Sequence, residues 1–338
     1  MKIAFLNIYQ GGVERGAETF VSELSKRLEK NHNVTVFEGR KQPLARWPIL
    51  WRTFLDPQGL GVARFTLKLI PKLWKERYDI VVPLNGGWQP AFVRIVTWLY
   101  GGKMVISGQS GKGWDDRNNL WSLPNAFLAL STKLKAWAKS VNPFVGIFRI
   151  PNGVDIEKFK PAGGKASIKL PKPIILSAGA LNEEKRMDLV IKAVAKLGNA
   201  SLLIVGKGPQ KSKLEKLGKE LLGGRFQLTS FEFKDMPKVY RAADLFTLAS
   251  PWYRSFEIVL VEAMASGLAV VANKDEIRRE IVGRAGILVD PANTNAYAIA
   301  LENALKLRWG KRPVNQAKKF DWDKIALKYE KLFSDLFK

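Results

Sequence analysis

The sequence predicts an α/β protein built from two doubly wound parallel sheets. Three observations carry this. Short apolar runs alternate with longer stretches of helical periodicity, the alternation pauses once near residue 150 and then restarts, and Gly and Pro crowd the pause. Repeated strand–helix alternation is the pattern of a parallel sheet covered by crossover helices. The 338 residues, 46% of them hydrophobic, suffice for two domains of ordinary size, each with its own core.

In the first half the predicted strands are Ile3–Asn7, Val34–Phe37, Ile80–Pro83, Lys103–Ser107, Ala126–Ser131 and Val145–Ile150, separated by helical stretches such as Ala17–Leu28 and Gln89–Leu99. The second series runs Ile174–Ala178, Leu202–Val205, Phe226–Thr229, Leu245–Ala249, Ala269–Ala272 and Ile287–Val289. Between them, Pro151-Asn152-Gly153-Val154-Asp155 and Pro161-Ala162-Gly163-Gly164-Lys165 read as a hinge. The expected domains are therefore 1–150 and 151–320. The tail, 321–338, reads as an amphipathic helix expected to pack back on the first domain. Ligands of doubly wound sheets bind at the carboxyl ends of strands, so two such domains face to face would enclose a cleft.

Composition removes several classes of chemistry. There is no cysteine, hence no disulfide and no thiolate metal site. His32 is the only histidine, so a multi-histidine zinc centre is excluded, and a structural role is expected for it. The opening MKIAFLNIYQGG is too short in its apolar part for a signal peptide and reads as a first buried strand. No run approaches the roughly 20 apolar residues of a membrane-spanning helix. A cytoplasmic protein is expected, peripheral on the membrane's inner face if it meets the bilayer. The formal net charge of +24 suits an anionic lipid surface, a nucleic acid or a polyanionic substrate, with a solubilising Lys-rich surface explaining part of it.

Five segments carry chemistry. In Ser255-Phe256-Glu257-Ile258-Val259-Leu260-Val261-Glu262-Ala263-Met264-Ala265, Glu262 falls among apolar and small residues on a helix. A buried carboxylate needs hydrogen-bond donors, which either a ribose diol or a backbone amide supplies. In Ser177-Ala178-Gly179-Ala180-Leu181-Asn182-Glu183-Glu184-Lys185-Arg186, a strand ends at Gly179 and a helix is expected near Lys185, so cations and free amides meet where a diphosphate would suit them. Gly206-Lys207-Gly208-Pro209 is a glycine turn after a strand, with the proline expected at a helix start. Gln10-Gly11-Gly12 through Arg15-Gly16-Ala17 joins strand one to helix one, and its glycines let backbone amides approach a ligand. Ser107-Gly108-Gln109-Ser110-Gly111 follows another strand end.

In this order the segments closely resemble glycosyltransferase family 4, the retaining group 1 enzymes of GT-B fold, over nearly the whole chain. The resemblance implies two Rossmann-like domains facing across a cleft and a UDP- or GDP-sugar as co-substrate, with no cofactor and no metal. Glu262 matches the family's ribose-binding Glu, and Lys185 its phosphate-binding Lys. Gly179, Gly206, Ile258 and Val259 are expected to bind the donor, with Arg186 compensating for the cation that Ala180 replaces, and Gly12 and Gly16 fall on the glycine loop that meets donor phosphates and acceptor. Gln109 stands where many relatives place a histidine near the sugar, which makes it and Lys185 the catalytic candidates. Three positions depart from the pattern. Arg254 replaces the Glu that contacts the hexose, Glu257 replaces a Gly, and Ala180 replaces an Arg. Arg254 would meet a phosphate or a carboxylated sugar, or else Glu257 and Arg254 pair on one helical face. The implied function is retaining transfer of a sugar to an acceptor, lipid-linked or a cell-envelope glycan. The alternative is a catalytically weak or inactive GT-B protein that binds nucleotide or an anionic surface.

From Lys41 to Arg77 the chain interleaves Arg46, Trp47, Trp51, Arg52, Arg64, Lys68, Lys72, Trp74 and Lys75, with only Asp56 and Glu76 opposing them. Tryptophan at headgroup depth beside cations suits an anionic membrane interface. The other reading is a surface helix whose tryptophans are core. Nucleic acid is not the expected partner, because no nucleic-acid-binding signature is present.

Overall fold

The computed structural model describes residues 1–12, 16–39, 44–251 and 256–338, which divide into two units: Met1–Asn152 with Trp322–Lys338, and Gly153–Asp321. In the first, strands β1 (Lys2–Leu6), β2 (Asn33–Phe37), β3 (Ile80–Pro83), β4 (Lys103–Ser107), β5 (Ala126–Ala129) and β6 (Ile147–Arg149) form one sheet in the order β2-β1-β3-β4-β5-β6. In the second, β7 (Ile174–Ala178), β8 (Ser201–Val205), β9 (Phe226–Thr229), β10 (Leu245–Leu248), β11 (Val270–Asn273) and β12 (Gly286–Val289) take the order β12-β11-β10-β7-β8-β9. Every pairing in both sheets is parallel.

The central strands β3, β7, β8 and β10 are buried at every residue, whereas the edge strands β9 and β12 are half-buried throughout. Helices on both faces of a parallel sheet leave no solvent side, which is why the central runs are continuously apolar.

The tail helix Trp322–Asp335 supplies part of the first unit's core. Trp322, Ile325, Tyr329 and Phe333 bury with Ile3, Phe5, Phe20, Leu24 and Leu28. The Phe20 ring lies 6.1 Å from Trp322 and 5.9 Å from Tyr329, tilted as aromatic quadrupoles prefer.

Several local expectations need correction. The helix after β7 starts at Met187, not near Lys185. A 3-10 turn covers Glu183–Lys185, capped by Asn182, and Arg186 adopts a left-handed backbone (φ 49°) that ends the turn. Pro209 does not open a helix; the helix Lys211–Leu222 begins two residues later. The strand predicted to reach Ser131 stops at Ala129, because the Ser131 side chain accepts from the Leu134 amide and caps the next helix. Asp56 is likewise a buried cap: it accepts from the Gly59 amide at the start of Pro57–Glu76, so it does not oppose the surface cations.

Candidate functional site

A doubly wound sheet opens a crevice where its strand order reverses, between strands whose crossovers leave in opposite directions. In the second unit that point lies between β7 and β10. The loop after β7 carries Gly179, Lys185 and Arg186; the chain after β10 carries Glu257 and the helix Ile258–Ala265 with Glu262. The topology therefore brings the two segments singled out in the sequence to one crevice.

The contact between them is a charge pair. Lys185 Nζ donates to Glu257 Oε2 at 2.5 Å, and Arg278, 1% exposed, approaches Glu257 Oε1 at 3.7 Å. Burial pushes the Glu257 carboxyl up, but the Lys185 and Arg278 charges, with hydrogen bonds from Lys185 and Ser250, more than offset this and hold it below the usual range. Glu257 is not on a helical face, as the pairing expected with Arg254 required. It precedes the helix in left-handed backbone, φ 55°, and its partners are remote in sequence. Arg254 lies outside the described residues.

Glu262 sits five residues further on, about 7–8 Å along the helix axis. The residue is 5% exposed, and its carboxylate accepts from Tyr240 Oη at 2.8 Å. Burial, then the Glu262 charge and hydrogen bond, push the Tyr240 phenol well up, so it remains a donor. Sequence reasoning missed Tyr240, which lies 22 residues upstream of Glu262.

The glycine turn after β8 packs on the loop after β7. Leu181 donates its amide to Lys207 at 2.9 Å, and Gln210 donates to Leu181. A Cβ at Gly206 would run into the Gly179 carbonyl oxygen, so the two backbones approach as only glycine allows. Ile258 and Val259 form the first turn of the Glu262 helix, whose amides lack intrahelical partners.

In the first unit the strand order reverses between β1 and β3. There a polar cluster closes over the sheet. Ile8 donates its amide to Asn85 Oδ1 (3.0 Å), Asn85 donates to Gln89 Oε1 (2.9 Å), and Asn7 donates to Gln10 Oε1 (3.0 Å). Gly12 donates to the Tyr9 carbonyl just before the undescribed residues 13–15, and Gly16 opens the helix Gly16–Leu28. Gln109 faces Asn152 in a reciprocal amide pair: Gln109 Nε2 donates at 3.1 Å and Asn152 Nδ2 donates back at 2.8 Å. Asn85 lies in a strand-end turn, Asn85-Gly86-Gly87-Trp88, that the sequence already offered as lining for the acceptor side; Asn7, Gln89 and Asn152 were not singled out as site residues, and an amide at a strand's carboxyl end was the available signal.

Two units, each built on a six-stranded parallel sheet, make up the architecture of the GT-B fold. Sucrose-phosphate synthase from Thermosynechococcus elongatus shares the fold at a TM-score of 0.80 over 99% of each chain, with 20% identity. HepE from Anabaena, solved with UDP-glucose, shares it at 0.76 over 99% of this chain and 100% of that one, with 19% identity. Residues 172–306 match the family described as glycosyl transferases group 1. Phosphatidyl-myo-inositol mannosyltransferase of Mycobacterium tuberculosis is 31% identical over 193 residues, 52% of this chain and 51% of that protein. The chain spans about half the length of the curated relatives it matches.

Proposed function

We propose that this protein is a retaining glycosyltransferase that moves a sugar from a UDP- or GDP-sugar to a lipid-linked or cell-envelope glycan acceptor. The carrying observation is the placement of Lys185 and Glu262 at the two ends of one switch-point segment, Glu257–Glu262. In this reading Lys185 and Arg186 meet the diphosphate together with the Ile258 and Val259 amides. Glu262, oriented by Tyr240, accepts from the ribose hydroxyls. Gly179 and Gly206 let the nucleotide approach the backbone. No carboxylate is assigned as nucleophile. Rate enhancement comes from holding the reactants and stabilising the departing diphosphate. Gln109 acts as a positioning residue, because its amide is engaged by Asn152.

The acceptor reading draws on the helix Pro57–Glu76. Leu60, Leu67 and Trp74 recur every seven residues on its exposed side, among exposed Arg64, Lys68, Lys72 and Lys75. The helix Trp88–Tyr100 packs against it and exposes Ile95, Trp98 and Leu99. Apolar and aromatic side chains ringed by cations suit an anionic bilayer surface, where each cation contributes about 1 kcal/mol. Among the described residues no helix is long and apolar enough to cross a membrane.

Calorimetry with a panel of nucleotide sugars tests the reading. One donor should bind and lose affinity on Lys185→Ala and Glu262→Gln; binding by none of the panel refutes it.

A further inference from the structure

The residue directly before the helix Ile258–Ala265 already holds the nearby cation. A helix start offers unpaired N–H groups and the positive end of the dipole, which favour an anion. Here the protein places its own carboxylate beside that position. Glu257 directly precedes the helix, its side chain is 8% exposed, and its own carboxylate makes no cap hydrogen bond to the helix. Instead it takes the ammonium of Lys185. Its backbone (φ 55°, ψ 72°) is one in which glycine is at ease and glutamate is strained. Lys185 and Arg278 both face Glu257, and Arg278 also approaches Asp275 at 3.7 Å.

We propose that Glu257 is a resident anion of the phosphate subsite and determines which ligand the site prefers. This rests on the donor reading above. A ligand phosphate must share Lys185 with a carboxylate already in contact with it. A nucleoside diphosphate carries one more negative charge near neutral pH than its sugar ester, because its terminal phosphate is uncapped. The repulsion from Glu257 therefore falls harder on the spent nucleotide than on the intact donor. The site keeps a donor and releases the diphosphate left after transfer.

The test is calorimetric titration of UDP, UDP-glucose and inorganic pyrophosphate, with GDP and GDP-mannose in parallel, into the wild type, Glu257→Gln and Glu257→Gly. Glycine suits the left-handed backbone and guards against a variant that fails only by misfolding; melting temperatures identify the folded forms. Both variants should bind the free diphosphate about tenfold tighter or more, and the sugar ester by a smaller factor. Adding Lys185→Ala should abolish the gain. Unchanged or weaker diphosphate binding in a folded variant overturns the proposal, as does equal tightening for both ligand types. A wild type that binds a nucleotide sugar while the variants show no gain sinks this inference and leaves the donor reading standing. No binding by any form sinks both.

Discussion

Asp116 should make the first unit lose stability as the pH rises through neutrality. It is 2% exposed in the first turn of the helix Trp114–Trp121. Oδ2 accepts from the Ser110 amide and Oδ1 from Asn119 Nδ2, both at 3.2 Å, which ties down the Ser107–Gly113 loop that carries Gln109. Burial, then the charge of Asp115, push its carboxyl up to about 7; hydrogen bonds from Asn119, Gly111 and Ser110 only partly oppose this. Arg46 lies 3.2 Å from Asp115 and tempers that second charge. The ordinary value is 3.8, so the folded protein holds the Asp116 proton more tightly than the unfolded chain across this window. Its contribution to stability is complete below pH 3.8, declines as pH rises and is gone above about 7. A difference of about 3 units corresponds to about 4 kcal/mol. Urea denaturation of wild type and Asp116→Asn at steps from about pH 4.5 to 8 reads this as a difference, in which shared carboxylates such as Glu257 cancel. The variant loses one amide acceptor at every pH, a constant offset. The stability difference should therefore move toward the variant by about 3 kcal/mol over the window. A difference independent of pH refutes a buried, proton-retaining Asp116.

Tyr240→Phe removes a buried hydrogen bond to a carboxylate and should cost about 1.5–3 kcal/mol in urea melts, with nucleotide affinity falling as Glu262 loses its orientation. Lys185→Ala should destabilise the second unit by about 1–3 kcal/mol, less than a fully buried broken pair, since Lys185 is 19% exposed and Arg278 stays beside Glu257. Trp322→Ala should cost about 3–5 kcal/mol and reduce hydrogen-exchange protection of the distant helix Gly16–Leu28, which it packs against. Replacing Leu67 and Trp74 by Ser should weaken sedimentation with anionic vesicles without lowering the melting temperature, because both side chains are about half exposed.

What could be read from the chain and what could not divide along a physical line. Ile174–Ala178 is a central strand because Ile-Ile-Leu in an unbroken run has no polar face to offer water, and that property is local. The switch-point crevice within the second unit depends on strand order, which only the folded sheet supplies. Lys185 was found because a cation beside a strand end is also a local signal. The identity of its partner was not: Glu257 stands 72 residues away, and its sequence neighbours argued for a different pairing. Asp116 reads as one more acid of a surface helix, and only the closure of the 107–113 loop above it makes it a buried group. The tail helix shows the same limit from the apolar side. Its stripe is visible in sequence, but that Trp322 and Tyr329 complete the Phe20 core requires the chain to return across the whole second unit.

The charged residues at the switch point follow one logic. A cation alone at a helix start and strand end would hold any anion, and the tightest would be the one with most charge. On the proposed donor reading, setting Glu257 against Lys185 would lower that indiscriminate attraction and leave recognition to groups with direction: the buried carboxylate of Glu262, which accepts from Tyr240, and the amides of Ile258 and Val259. Selectivity would then rest on the sugar and the ribose more than on the phosphate charge. The affinity ratio between a nucleotide sugar and its free diphosphate should accordingly depend on Glu257 and be nearly insensitive to Tyr240→Phe, which weakens both ligands through the ribose they share. A ratio that moves with Tyr240 and not with Glu257 would mean that the carboxylate pair is scaffolding and that discrimination lies elsewhere.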